Sequence, residues 1–152
     1  MNRVSLGSPV GPLTVWAEGG AVTRLDWTDG PADPGNDPVL VAARRQLQKY
    51  FEGCREAFDL PLAPRGGGFQ RAFYRALRQI PFGRTRTYGE LAAELGVSAQ
   101  AIGRACGANP IPILIPCHRV LAADGLGGYS GAGGIEAKIA LLRLEGSASL
   151  LI

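Results

Sequence analysis

The five residues Pro64-Arg65-Gly66-Gly67-Gly68 do most to restrict how this chain folds. Proline followed by three glycines ends regular structure, and the hydrophobic pattern changes period across them. Before them the pattern is mostly that of strands. Leu13-Thr14-Val15-Trp16 and Ala21-Val22-Thr23-Arg24-Leu25 flank Gly19-Gly20, which suits a hairpin turn. A loop rich in Gly, Pro and Asp runs from 29 to 38, and Leu60-Pro61-Leu62 returns as an extended piece. Between them Val39, Ala43, Leu47 and Phe51 fall four apart, so one helix is expected over about 39–51, with Gly53 just past its end.

Beyond the glycines the pattern turns helical. Phe69, Ala72, Phe73, Ala76, Leu77 and Ile80 predict an amphipathic helix over 69–79, broken by Pro81-Phe82-Gly83. Thr87, with Glu90 three positions on, caps a short helix over 88–95 that Gly96 ends. Ser98 caps another over 99–106. Two short helices around a tight glycine turn make a helix-turn-helix pattern. The expected fold class is therefore α/β (α+β). A small β-sheet subdomain with one helix should span 1–64, and a mostly helical subdomain 65–152.

The helix over 99–106 has two unlike faces. Ala101, Ile102 and Ala105 form the apolar one; Gln100, Gly103, Arg104 and Gly107 form the other. A glycine inside a helix costs about 1 kcal/mol against alanine. Close packing of a second helix would justify that cost, and so would close approach of a nucleic-acid backbone or groove. The sequence leaves both open.

Charge points the same way. The formal net charge is +3, but residues 65–119 hold eight arginines, no lysine, and only Glu90 and Glu94 as acids. The flanking segments are weakly acidic. Arginine's planar fork suits phosphate, although a solvated basic face reads identically. At 46% hydrophobic and 19% charged the chain is globular. The apolar run Ile111 to Ile115 is far too short to span a bilayer, and no signal-peptide pattern opens the chain. Cys54, Cys106 and Cys117 are odd in number and lack framework spacing, and there is one histidine. A reduced cytoplasmic setting without a metal site is expected, nucleoid-associated in a bacterium.

The sharpest chemical feature is Ile111-Pro112-Ile113-Leu114-Ile115-Pro116-Cys117-His118-Arg119-Val120. It reads as an apolar extended run that delivers a cysteine beside the chain's single histidine. Thiolate is the nucleophile, and a free cysteine near pKa ~8.5 needs a neighbouring base or cation. His118 or Arg119 could serve. Neighbours on a strand face opposite ways, so a bridging water is as open a route as a direct bond. A buried structural cysteine is the plain alternative.

Pro116-Cys117-His118-Arg119-Val120 resembles the acceptor-site signature of the O6-alkylguanine-DNA alkyltransferases. Gln46 to Gly53 and Phe58-Asp59-Leu60-Pro61-Leu62 are similar to the family's N-terminal domain. Ile80-Pro81-Phe82-Gly83, Thr87-Tyr88, Leu91-Ala92, Asn109-Pro110, Gly127 to Gly131, Lys138, Leu141-Leu142 and Glu145-Gly146 follow in family order. The resemblance implies a ribonuclease-H-like first part and a DNA-repair reaction. A damaged guanine is turned out of the duplex, because its O6 is out of reach within the stack. A cysteine then takes the alkyl group once and keeps it.

By this resemblance Cys117 is the acceptor, His118 relays its proton through water, and Glu145 orients the imidazole. Tyr88 lies near the guanine or its 3′ phosphate. Ser130 and the backbone at Cys117 and Val120 read base edges, and Lys138 faces the same site. Asn109 is the hinge between recognition helix and acceptor segment. Arg119 is structural, and Cys54 and Cys106 are inert. The implied partner is double-stranded DNA containing O6-alkylguanine, met by a monomer without cofactor, metal or membrane.

Three departures stand out. Counting back from Asn109 puts Gln100 where the family has an arginine that replaces the flipped base in the stack, with Arg104 one turn later. The chain is two residues shorter between Tyr88 and Gln100, and two longer between Tyr129 and Lys138. These changes support a competing reading, a family member that binds DNA or a partner with weak or no transfer. A redox or protease-like enzyme fits less well, with no CxxC motif and no second histidine.

Overall fold

The computed structural model describes residues 2–129 and 134–147. The first segment forms an antiparallel sheet in the order β1 (Asn2–Leu6), β2 (Leu13–Glu18), β3 (Ala21–Asp26), followed by α1 (Pro38–Phe51). Gly19 and Gly20 turn the β2–β3 hairpin with φ of 60° and 81°, the left-handed pair that matches strand twist. Val4, Leu6, Leu13, Val15, Ala17, Val22 and Leu25 are buried.

Asp37 caps α1 by accepting from Val39 N at 3.0 Å, and Pro38 opens the helix. Val39, Ala43 and Leu47 are buried as the four-residue stripe predicts, but Tyr50 replaces Phe51 as its last fully buried member. At ~100° per residue a four-residue spacing drifts, so Phe51 stands about 120° round from Val39 while Tyr50 returns to within about 20° of it. That rotation aims Tyr50 inward.

The second segment contains α2 (Gly68–Arg78), β4 (Arg86–Thr87), α3 (Tyr88–Leu95), α4 (Ala99–Gly107), β5 (Val120–Leu121) and α5 (Gly134–Leu144). The expected caps are formed. Thr87 Oγ1 accepts from Glu90 N at 3.0 Å while Glu90 Oε1 accepts from Thr87 N at 2.9 Å. Gly96 ends α3 at φ 69°, and Ser98 Oγ accepts from Ala101 N at 3.1 Å. Leu91, Ala92, Ile102 and Ala105 are buried where α3 and α4 pack. β4 pairs in parallel with β5, which sets Thr87, and Tyr88 after it, beside the segment that follows Cys117.

The run into Cys117 is not the expected strand. Ile113 has φ 72°, the one positive value for a non-glycine among the described residues, and Ile115 N donates back to Ile111 O at 2.9 Å. Cys117–Arg119 then form one turn of 3-10 helix. Pro112 and Pro116 have no N–H for a ladder. The Asn109 side chain takes the ladder's place, donating from Nδ2 to Ile115 O at 2.9 Å and accepting from Ile111 N at 3.0 Å.

The two segments share one core. Leu25 N donates to Pro110 O at 3.0 Å, and the extended piece at Leu60 to Leu62 lies against β3 through a Val22–Leu62 bridge. Buried residues from Val4 to Leu141 form a single cluster. No helix among the described residues is long and apolar enough to cross a membrane.

Candidate active site

Cys117 opens on a cavity of about 440 Å³ lined by Tyr88, Gly103, Cys106, Gly107, Gly128 and Tyr129. One wall is the start of α3, one is α4, and one is the loop after β5. The loop presses on Tyr88. A Cβ at Gly127, where φ is 70°, would stand 2.7 Å from the Tyr88 ring, so only glycine fits. Tyr88 Oη reaches Gly128 O at a long 3.5 Å.

The two α4 glycines border open space. A Cβ at Gly103 or Gly107 meets nothing within 4 Å. Among the described residues no second helix packs there, so close helix packing does not account for these glycines. Gln100 and Arg104 are exposed on the same helix.

Behind Cys117 lies a buried polar network. His118 Nε2 stands 2.7 Å from Glu145 Oε2, and both side chains have no solvent exposure. Burial pushes the Glu145 carboxyl up, but hydrogen bonds from His118 and Arg119 outweigh it and hold the group down at about 2. The carboxylate is therefore charged, and Nε2 must carry the hydrogen it donates. Burial keeps the imidazole below its ordinary pKa against the opposing pull of Glu145, so it is neutral at pH 7. Its acceptor nitrogen is then Nδ1, which has no hydrogen-bond partner among the described residues. Burial pushes the Cys117 thiol up to about 11, while the Asn109 hydrogen bond and the Lys138 charge pull it down. At rest Cys117 is a thiol.

Arg119 is structural, as expected. Nε and Nη2 donate to Glu145 at 2.8 and 2.9 Å, and Nη1 to Ile80 O at 2.7 Å. Lys138 does not line the cavity. Its amine is buried and donates to Val120 O at 2.7 Å, Gly128 O at 3.0 Å and Leu126 O, which ties the loop wall to the acceptor turn. Burial holds that amine down at about 8, with Cys106 and Cys117 opposing. Val120 is buried, its N–H donating to Cys117 O and its carbonyl accepting from Lys138, so both backbone groups are engaged internally. Ser130 lies outside the described residues, as do residues 131–133 of the loop expected to be longer than the family's.

Two residues of the site escaped the sequence reading. Cys106 lines the cavity, its thiol pushed up to about 12 by burial and then by Cys117, while Cys54 is exposed on the surface. Tyr50 Oη donates to Glu145 Oε2 at 2.5 Å from 95 residues away. The helical drift described above was the available signal for Tyr50; its partner was not visible.

Known proteins match this arrangement along most of its length. The family profile described as 6-O-methylguanine DNA methyltransferase, DNA binding domain, matches residues 68–147, and that of the ribonuclease-like domain matches residues 4–64. The chain belongs to the 6-O-methylguanine DNA methyltransferase family. A methylated-DNA–protein-cysteine methyltransferase of Methanosarcina barkeri is 44% identical over 91% of this chain and 92% of its own. One of Mycobacterium tuberculosis is 43% identical over 94% and 91%. The crystal structure of Mycobacterium tuberculosis O6-methylguanine methyltransferase has a TM-score of 0.83 at 42% identity, covering 97% of this chain and 93% of that one. That of Mycobacterium tuberculosis OGT in complex with DNA has a TM-score of 0.84 at 42% identity, covering 97% and 94%.

Proposed function

We propose that this protein repairs DNA by moving an alkyl group from O6-alkylguanine to Cys117, once per molecule. The observation that carries this reading is the thiol of Cys117 opening on a 440 Å³ cavity, walled by the glycine face of α4 and backed by a neutral histidine on a charged carboxylate. Such a cavity takes a single base. The α4 face, free of bulky side chains at Gly103 and Gly107, is where duplex DNA approaches, and the division near residue 64 separates a supporting subdomain from the DNA-binding and acceptor one.

Because burial keeps Cys117 protonated at rest, it must lose its proton as it reacts. Nδ1 of His118 receives it, directly or through one water, and Glu145 stabilises the imidazolium that forms. The new bond joins Sγ to the alkyl carbon as the carbon–O6 bond breaks. The electron pair of that bond leaves with the guanine, which takes up a proton and returns to the duplex. The thioether has no leaving group the protein can displace, so the acceptor is consumed. Lys138 holds the loop wall and Asn109 the acceptor turn. Tyr88 and Ser130 contact the base or its phosphate, while Gln100, helped by Arg104, fills the gap in the stack. The protein works where the DNA is, in the cytoplasm or nucleoid.

The binding-only alternative is not favoured. Cys117, His118 and Glu145 are all present, and the relatives above are named as methyltransferases. Incubation with an O6-methylguanine duplex, read by intact mass, tests the proposal. One added methyl group on Cys117 is the expected result; an unmodified protein that still binds the duplex would return the alternative.

A further inference from the structure

Glu145 is held by more than the pair needed to orient a histidine. Oε1 accepts from Arg119 Nε at 2.8 Å. Oε2 accepts three bonds: Tyr50 Oη at 2.5 Å, His118 Nε2 at 2.7 Å and Arg119 Nη2 at 2.9 Å. Tyr50 is 1% exposed, and its ring is clamped by Phe51, Phe58 and Phe82 with centroids 5.1, 5.2 and 6.2 Å away. A phenol fixed by three rings cannot swing off its acceptor.

We propose that Tyr50 is a positioning residue for the acceptor chemistry: its hydroxyl, supplied by α1 of the first segment, fixes the carboxylate that orients His118. The inference rests on the function proposed above and adds a fourth residue to its network, contributed by the subdomain that carries none of the others.

Two consequences follow from sharing one oxygen. First, Oε2 divides its electron density among three donors, so Tyr50 weakens the pull of Glu145 on His118. Second, the phenol stays protonated throughout, because burial and then the Glu145 charge push its ionisation far above the ordinary range. The charged groups that act on His118 are Glu145, Arg119 and Lys138. Of the neutral titratable groups Tyr50 shares the Glu145 oxygen, while Cys117 and Tyr129 are buried in the same region and the Tyr129 hydroxyl has no hydrogen-bond partner among the described residues. Arg119 and Lys138 disfavour imidazolium and Glu145 favours it. Tyr50 therefore acts with the cations, by blunting Glu145, to keep the imidazole neutral and ready to accept a proton.

Tyr50→Phe removes the hydroxyl and keeps the ring. The chain has one histidine, so its imidazole titration is read without assignment by NMR. The expected result is a His118 midpoint raised by about one pH unit, a tenfold change in proton affinity. The acid limb of the transfer rate with free O6-benzylguanine should move up by the same amount, and the high-pH plateau should fall, because the carboxylate that orients His118 loses one of its fixing bonds. Placing difluorotyrosine at position 50 makes the phenol a stronger donor and should move both midpoints down. A role confined to packing predicts no movement in either variant while the ring is kept, and that result overturns the inference. Should Tyr50→Phe fail to fold, the difluorotyrosine protein carries the test alone. Absence of transfer by the unsubstituted protein would defeat the proposed function, while the NMR titration would still decide whether Tyr50 tunes His118.

Discussion

Gly103 and Gly107 offer a test in which stability and activity should part. Both sit on the exposed side of α4, and a methyl group added at either meets nothing within 4 Å. Neither has a positive φ, so alanine fits the backbone without strain. Alanine inside a helix is favoured over glycine by about 1 kcal/mol. Gly103→Ala should gain most of that, and Gly107→Ala, at the last residue of the helix, roughly half. For a chain of this size 1 kcal/mol raises Tm by about 2–4 °C. The same methyl group projects into the path proposed for DNA. Overpacking a close contact costs about 1–3 kcal/mol, which is roughly a five- to 150-fold loss of transfer. Thermal melts and single-turnover transfer on an O6-methylguanine duplex measure the two effects. A lowered Tm in both variants would mean that the glycines serve the fold after all. A raised Tm with an unchanged duplex rate would mean that nothing approaches this face, and the placement of DNA on α4 would be wrong.

Cys117→Ala should abolish transfer and leave duplex binding intact, as read by fluorescence anisotropy, and alkylation mapped to Cys54 or Cys106 instead would refute the acceptor assignment. Gln100→Arg should speed transfer on duplex DNA and leave the rate on free O6-alkylguanine base unchanged; equal rates on duplex before and after would show that no cationic finger is needed. Glu145, held at about 2 when folded against 4.5 ordinarily, contributes stability above pH 4.5 that is lost as pH falls through 2. That difference is about 3 kcal/mol, so acid titration of stability should be less steep over this range for Glu145→Gln.

The helix ends were legible because their signals are local. Thr87 with Glu90, Gly96 and Ser98 each satisfy backbone groups within a few residues of themselves. The segment from Ile111 to Pro116 was misread because an apolar run has no period of its own, and the residue that decides its shape is Asn109, whose side chain replaces the missing ladder bonds. The glycines of α4 were visible, but whether they face a helix or open space depends on what lies opposite, which periodicity does not report. That Cys117 would line a cavity and His118 would meet Glu145 was legible from family order. Tyr50 was not, since a contact across 95 residues leaves no trace in local spacing. Lys138 illustrates the converse: its number was read, but its amine is spent on three carbonyls of the protein itself.

The single core has a consequence for inheritance of damage by this protein. With Leu25 bonded to Pro110, and Tyr50 bonded to Glu145, neither half has a boundary at which loss of structure can stop. Unfolding should then be cooperative, one transition seen alike by every probe. A substitution that loosens the β-sheet, remote from Cys117, lowers the population of competent acceptor just as one beside the cavity does. If each molecule is consumed after one reaction, as proposed above, that population is the whole capacity for repair, because no faster turnover by the survivors can make up the shortfall.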